Sequence, residues 1–301
     1  MTNRIRRRQL LRLGLGAGVF AGVQATVPQF VLSSDRPAHS PQLRSPQLPR
    51  TKGLTPERFP LRVGISPDRR PLSFMAEAGQ RVGLEITLAR ALALTLAGFE
   101  VSGLDGVEQR HPASDWPELT ELIAFIPLTN PDRLAAVMSG QVDFAIAGIT
   151  ATDVRRRLVH FSLPYYLDGT TFITRNPHLR SRRDIAQQEI AILAGSSAIA
   201  TVRAQIPVAR LRGVNSYAAA QAWLNANPQA VFAGDASVLA GWAQLDDRYR
   251  VGPRLLSVEP LAIALPKGLQ HTELQVQVNR AIEHWTETGW LRVQLQQWQL
   301  P

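Results

Sequence analysis

Gly148, Thr150, Thr152, Asp153 and Arg155 follow one another closely in the stretch DFAIAGITATDVRRRLVHFSLPYY, just after the apolar run at residues 144–147. An apolar strand end, a hydroxyl-rich turn and an arginine early in a helix suit the capture of a small anion. The turn offers backbone N–H groups, and the guanidinium is a planar fork matched to a carboxylate. Asp153 is expected to cap that helix. The same residues also suit a plain strand–loop–helix connection with a solvated arginine run, so the elements around them must decide.

Composition narrows the choice. The chain has 301 residues, 45% of them hydrophobic, enough for two domains with ordinary cores. Its formal net charge of +9 suggests a polyanion partner until the charge is located. Of 33 Lys and Arg and 24 Asp and Glu, ten and two fall in residues 1–60, leaving 23 and 22 in the remainder. A nearly neutral body argues against nucleic-acid binding. The absence of cysteine excludes disulfides, thiolate metal sites and a cysteine nucleophile. The six histidines are dispersed without metal-ligand spacing, so no metal site, cofactor or catalytic residue is assigned. No G-x-S-x-G, H-E-x-x-H or G-x-x-x-x-G-K occurs.

The N-terminus reads as a targeting segment. Arg7-Arg8-Gln9-Leu10-Leu11-Arg12 resembles a twin-arginine export signal, and the apolar run at 13–27 is short and Gly-rich for a membrane span. Residues 1–32 are therefore expected to be an export signal, with an uncleaved signal acting as an anchor as the alternative. Residues 33–60, rich in Pro, Ser, Arg and Gln, read as a linker.

From Leu61 onward, strand-like and helix-like patterns alternate, which implies parallel sheets covered by helices. Strands are expected at 61–66, 122–128, 142–147, 170–174, 189–193, 230–233 and 261–265, with another ending at Val214. Helices are expected at 82–97, 131–139 with Asn130 as cap, 198–205, 216–225, 236–244 and 272–288. A polar excursion is expected at 99–118. The alternation occurs twice, which divides the body into residues 61–172 plus 262–301 and residues 173–261. Two extended segments then cross between the units, a hinge geometry with the ligand cleft between lobes.

The ordered motifs resemble the extracytoplasmic solute-binding proteins of family 3, which serve bacterial amino-acid ABC uptake. They are Gly148-Ile149-Thr150-x-Thr152-x-x-Arg155, Phe161-Ser162-x-Pro164-Tyr165-Tyr166, Val82-Gly83-Leu84-Glu85, Ser139-Gly140-x-Val142-Asp143, Gly195-Ser196-Ser197 and Gly289-Trp290. The resemblance implies an α/β fold of the periplasmic-binding-protein type (type II), two lobes joined by two hinge strands. It implies a monomer in the periplasm that hands one amino acid to a permease and ATPase complex. Carried over residue by residue, it puts the ligand carboxylate on Arg155, Thr150 and the turn at Ser196 and Ser197. The ammonium goes to the Gly148 carbonyl, the Thr150 hydroxyl and Asp235.

The chain also departs from the family pattern. The loop after the first strand, Ser66-Pro67-Asp68-Arg69-Arg70, has Arg69 near the position of a ligand-stacking aromatic, and Asn130 replaces a second aromatic. Arg133 resembles an arginine of the acidic-amino-acid binders. A polar or acidic ligand such as glutamate, aspartate or glutamine is expected, unless these arginines are solvated rim charges. Cyclohexadienyl dehydratases share the fold and form the rival reading, as does a sensor that does not transport.

Overall fold

The computed structural model describes residues 58–98, 122–179, 181–252 and 254–300. The export-like segment, most of the linker and the excursion expected at 99–118 lie outside them.

The described chain forms two five-stranded sheets. The first contains β1 (Leu61–Ile65), β4 (Ile123–Pro127), β5 (Phe144–Ala145), β6 (His160–Asp168) and β12 (Glu259–Leu265), in the order β4-β1-β5-β12-β6. The second contains β7 (Thr170–Thr174), β8 (Glu189–Leu193), β9 (Arg210–Val214), β10 (Val231–Asp235) and β11 (Arg250–Val251), in the order β11-β7-β10-β8-β9. A small ribbon pairs β2 (Phe74–Met75) with β3 (Arg81–Val82). In each large sheet three adjacent strands pair in parallel, and the strand crossing from the other lobe is inserted antiparallel between the third of them and the last strand. The two lobes thus repeat one topology.

Helices cover the sheets because their apolar residues recur at helical spacing. Leu84, Leu88, Leu92 and Leu96 of α1 (Leu84–Leu96) are fully buried and pack with Val63, Tyr165 and Trp285 of α8 (Thr272–Glu287). The second lobe is built on an aromatic cluster. Tyr217 of α6 (Tyr217–Ala226) meets Phe232 and Trp242 edge-on, and Phe232 stacks on Trp242, which lies in α7 (Ala236–Leu245). Helices α2 (Asp132–Met138), α3 (Asp153–Arg156), α4 (Arg182–Ala186), α5 (Ala198–Gln205) and α9 (Trp290–Gln297) complete the described set. No described helix is long and apolar enough to cross a membrane.

Besides small elements that were not expected (the β2–β3 ribbon, β11 and α4), four differences from the sequence reading concern the crevice and the crossings. The cap of α3 is Thr152, whose hydroxyl accepts from the Arg155 N–H at 3.3 Å, while Asp153 is the first helical residue. Asn130 does not cap α2, because its side chain is turned to the cleft instead. The nine-residue β6 was not foreseen: Pro164 interrupts its pattern, yet β6 is an edge strand, where proline is tolerated. The expected boundaries at 172/173 and 261/262 fall inside β7 and β12, whereas the chain changes sheets between Asp168 and Thr170 and enters the first sheet again at Glu259. At the first crossing β6 and β7 are separated by Gly169 alone, so composition does not mark it.

Candidate functional site

The parallel strands dictate where chemistry collects. In open α/β sheets the crevice lies beyond the carboxyl ends of the strands. The ends of β1, β4 and β5 deliver the 66–70 loop, Asn130 and Gly148, and the ends of β8 and β10 deliver Ser196, Ser197 and Asp235. The antiparallel inserts begin at the same edge, which adds Thr170 and Glu259.

Several hydrogen bonds join the lobes across this crevice. The Asn130 Nδ2 donates to the Ala194 carbonyl at 2.8 Å, and the Arg155 Nη2 to the Gly195 carbonyl at 3.2 Å. The Ala218 N–H, in the first turn of α6, donates to Asp68 Oδ2 at 3.1 Å. The Thr150 and Ser197 hydroxyls lie 3.0 Å apart.

One half of the site is suited to an anion. The Arg155 Nη1 donates to the Thr150 carbonyl at 3.1 Å, and its guanidinium has no carboxylate in ion-pair contact among the described residues. Burial pulls its pKa below the ordinary arginine value, opposed by the charge of Glu259. The Ser196 Oγ is buried and makes no hydrogen bond to the described residues. The Thr150 and Ser197 hydroxyls donate to Glu259 Oε2 at 2.8 and 2.7 Å, and those of Thr170 and Ser257 reach Oε1. Burial works to raise the pKa of Glu259, but these four hydroxyls outweigh it and hold the carboxyl below its usual range.

The other half gathers cations around one carbonyl. Arg69 is only 3% exposed. Its Nη1 donates to the Gly148 carbonyl at 3.0 Å and pairs with Asp235 of the other lobe, its Nη2 donates to Asn130 Oδ1 at 3.3 Å, and its guanidinium lies 5.3 Å from the Tyr217 ring centroid. Arg133, equally buried, donates Nη1 to the carbonyls of Ala147 and Gly148, Nε to the Asn130 carbonyl and Nη2 to Asn130 Oδ1. Half of these bonds brace the Gly148 turn and half hold Asn130. Burial, followed by the charges of Arg69 and Arg155, pulls the Arg133 pKa down to about 9, where it is still charged at neutral pH. Behind the turn, Glu85 accepts from the Gly148 N–H and, at 2.6 Å, from the Tyr165 hydroxyl. Burial pushes the Glu85 carboxyl above its usual range, opposed first by Arg69.

The crevice thus brings together Gly148, Thr150, Arg155, Ser196, Ser197, Asp235, Asp68, Arg69, Asn130 and Arg133. Ser66 is buried at its floor, where its carbonyl accepts from the Ser73 hydroxyl at 2.6 Å. Two acidic residues were missed. Glu85 carries a weak signal, since it is the one acid among the apolar residues of α1. Glu259 carries none, because its partners come from four separate segments. A second groove, lined by Pro71, Tyr166, Ser237, Gly241 and Trp298, contains none of the predicted residues. Among the described residues no cluster of His, Asp or Glu is arranged to hold a metal ion.

At the first crossing, Asp168 accepts from the N–H groups of Gly169 and Ser237 at 2.8 and 3.1 Å and from the Ser237 hydroxyl. Burial, then the charge of Asp235, raises its pKa to about 7. Between about pH 4 and 7 the folded protein holds a proton that the unfolded chain releases, so this group lowers stability as pH rises through that window. Asp168→Asn should therefore gain stability over the wild type from pH 4 to 8, by up to about 4 kcal/mol. Urea midpoints at both pH values check this; a constant difference between the two proteins contradicts it.

Comparisons with known proteins bear on the family and the fold. Residues 95–301 match the family profile of the bacterial extracellular solute-binding proteins, family 3. A glutamine-binding protein of Geobacillus stearothermophilus is 26% identical over 193 residues, 64% of this chain and 66% of that protein's length. An ABC transporter glutamine-binding protein of Bacillus subtilis is 22% identical over 192 residues, 63% of this chain and 70% of its own. Among solved structures, an ancestral amino-acid-binding protein described as a precursor of cyclohexadienyl dehydratase aligns with a TM-score of 0.65 and 25% identity, over 79% of this chain and 94% of that one.

Proposed function

We propose, from the premise that this chain belongs to the bacterial extracellular solute-binding proteins, family 3, that it captures a free amino acid between its lobes and serves an ABC uptake transporter. In this reading it is a binding protein rather than an enzyme, a monomer exported to the periplasm by its twin-arginine-like segment, and it delivers its ligand to a permease and ATPase complex. The relatives named above are two glutamine-binding proteins and one described as an ancestral amino-acid-binding protein.

The observation that supports the reading is the pairing of two opposite half-sites across one crevice. The Gly148 carbonyl and the Asp235 carboxylate form an acceptor pair suited to an ammonium. Arg155 and the Ser196 hydroxyl, unpartnered among the described residues, supply donors suited to a carboxylate, beside the Thr150 and Ser197 hydroxyls, whose protons are held by Glu259. A zwitterion leaving water needs both charges met, because an uncompensated buried charge costs several kcal/mol. The wall formed by Asp68, Arg69, Asn130 and Arg133 carries no aromatic ring, which favours a polar or acidic side chain over an apolar one.

Thermal-shift measurement against the proteinogenic amino acids tests this. A ligand at 100 times its Kd stabilises by about 2.7 kcal/mol. Glutamate, aspartate or glutamine should raise the melting temperature. A strong response to leucine or phenylalanine with none to these three would defeat the reading.

A further inference from the structure

Arg69 stands on the groups assigned to the ligand ammonium. Its Nη1 donates to the Gly148 carbonyl at 3.0 Å and pairs with Asp235, so one nitrogen of this chain serves both acceptors. The fit is tight: a Cβ on Gly148 would lie 1.9 Å from that nitrogen. The guanidinium is buried against Tyr217 of the second lobe, and its Nε has no hydrogen-bond partner among the described residues. Arg69 thus bridges the lobes, donating to Gly148 and Asn130 of its own and pairing with Asp235 of the other.

We infer that Arg69 is a tethered cation that holds the ammonium subsite, and that an incoming amino acid must exchange with it. The inference rests on the amino-acid reading above and adds a selection rule to it. When a ligand ammonium takes over Gly148 and Asp235, the displaced guanidinium needs a new counter-charge, because a buried unpaired arginine is costly. The neighbours supply no replacement, since Asn130 is neutral and Arg133 repels. The Glu85 Oε1 accepts from Gly148 and Tyr165, and its Oε2 has no hydrogen-bond partner among the described residues. That carboxylate already acts on Arg69 while Asp235 is in place and adds nothing new when Asp235 is taken. A ligand whose side chain ends in a carboxylate brings its own. The site should therefore prefer acidic amino acids to their amides, and Arg69 should set that preference.

Calorimetric titration of the full chain with L-glutamate and L-glutamine tests the exchange. The wild type should bind glutamate at least about tenfold more tightly than glutamine, a difference of about 1.4 kcal/mol. Arg69→Met should erase or invert that ratio, chiefly by tightening glutamine. Should Arg69→Met fold poorly, the milder Arg69→Gln should shift the ratio in the same direction. A second readout needs no ligand. The chain has no cysteine, so spin labels at Glu77→Cys and Arg203→Cys, exposed positions on opposite lobes, report the interlobe distance. Removing Arg69 should lengthen or broaden that distance in the ligand-free protein. Equal affinity for both ligands in wild type and variant, or an interlobe distance indifferent to Arg69, overturns the exchange while leaving amino-acid capture standing. Failure of every amino acid to bind the wild type defeats both.

Discussion

Arg155→Ala is expected to abolish ligand-induced stabilisation while leaving a folded protein. Arg155 is half-buried on the four-residue α3, and its guanidinium contacts the described chain through the Thr150 and Gly195 carbonyls. Little core packing depends on it. A bound α-carboxylate, by contrast, would lose its only cationic fork in that half of the site. Hydrogen bonds to charged groups contribute about 1.5–3 kcal/mol each. Two of them lost together correspond to roughly a hundredfold to ten-thousandfold in affinity. Melting curves with and without ligand check this, and a variant that keeps the full ligand response would remove Arg155 from the site.

Gly148→Ala should be nearly as damaging, for a different reason. Gly148 has φ of +58°, in the left-handed region, where an L-residue is disfavoured by about 1–2 kcal/mol. The added methyl would also strike the Arg69 guanidinium, which is buried and paired and cannot retreat cheaply. Overpacking of this kind adds about 1–3 kcal/mol. Gly140→Ala separates the two effects, because Gly140 has φ of +72° but open space where a Cβ would go. Urea unfolding should show Gly148→Ala losing clearly more stability than Gly140→Ala. Equal losses would mean that Arg69 does not press on the turn.

Much of the fold was legible because its cause is local. The leucines of α1 recur at helical spacing, and the run EIAIL at β8 is short, apolar and β-branched, so each sequence pattern matches the buried face it forms. The hinge was harder. β6 carries Pro164 and shifts register against β12 near Leu261 and Ala262, so its strand pattern is blurred. Half of the site was legible for the same local reason: Gly148, Thr150 and Arg155 lie within eight residues. Asn130 and Thr152 show the limit. Either residue can cap a helix or serve a site, and only the tertiary position decides which. Glu259 is beyond sequence logic, since its cage of Thr150, Thr170, Ser197 and Ser257 exists only once both crossings are folded.

The sharpest reversal concerns Arg69 and Arg133. Both were expected to reach toward a ligand side chain, yet both donate to the Gly148 carbonyl. Arg133 braces the turn. Arg69 links the lobes by engaging both the Gly148 carbonyl and Asp235.

The central claim is that one ligand is held by both of its backbone charges, and amputated ligands test it most directly. Titration calorimetry would compare L-glutamate with glutarate, which lacks the amine, and with 4-aminobutyrate, which lacks the α-carboxylate. The account predicts that glutamate binds at least about a hundredfold more tightly than 4-aminobutyrate, which leaves Arg155 unmatched. It also predicts tighter binding than glutarate, which forgoes the ammonium contacts at Gly148 and Asp235 and leaves Arg69 in place there. Glutarate binding as tightly as glutamate would contradict it, because the Gly148 carbonyl and Asp235 would then have no part in recognition.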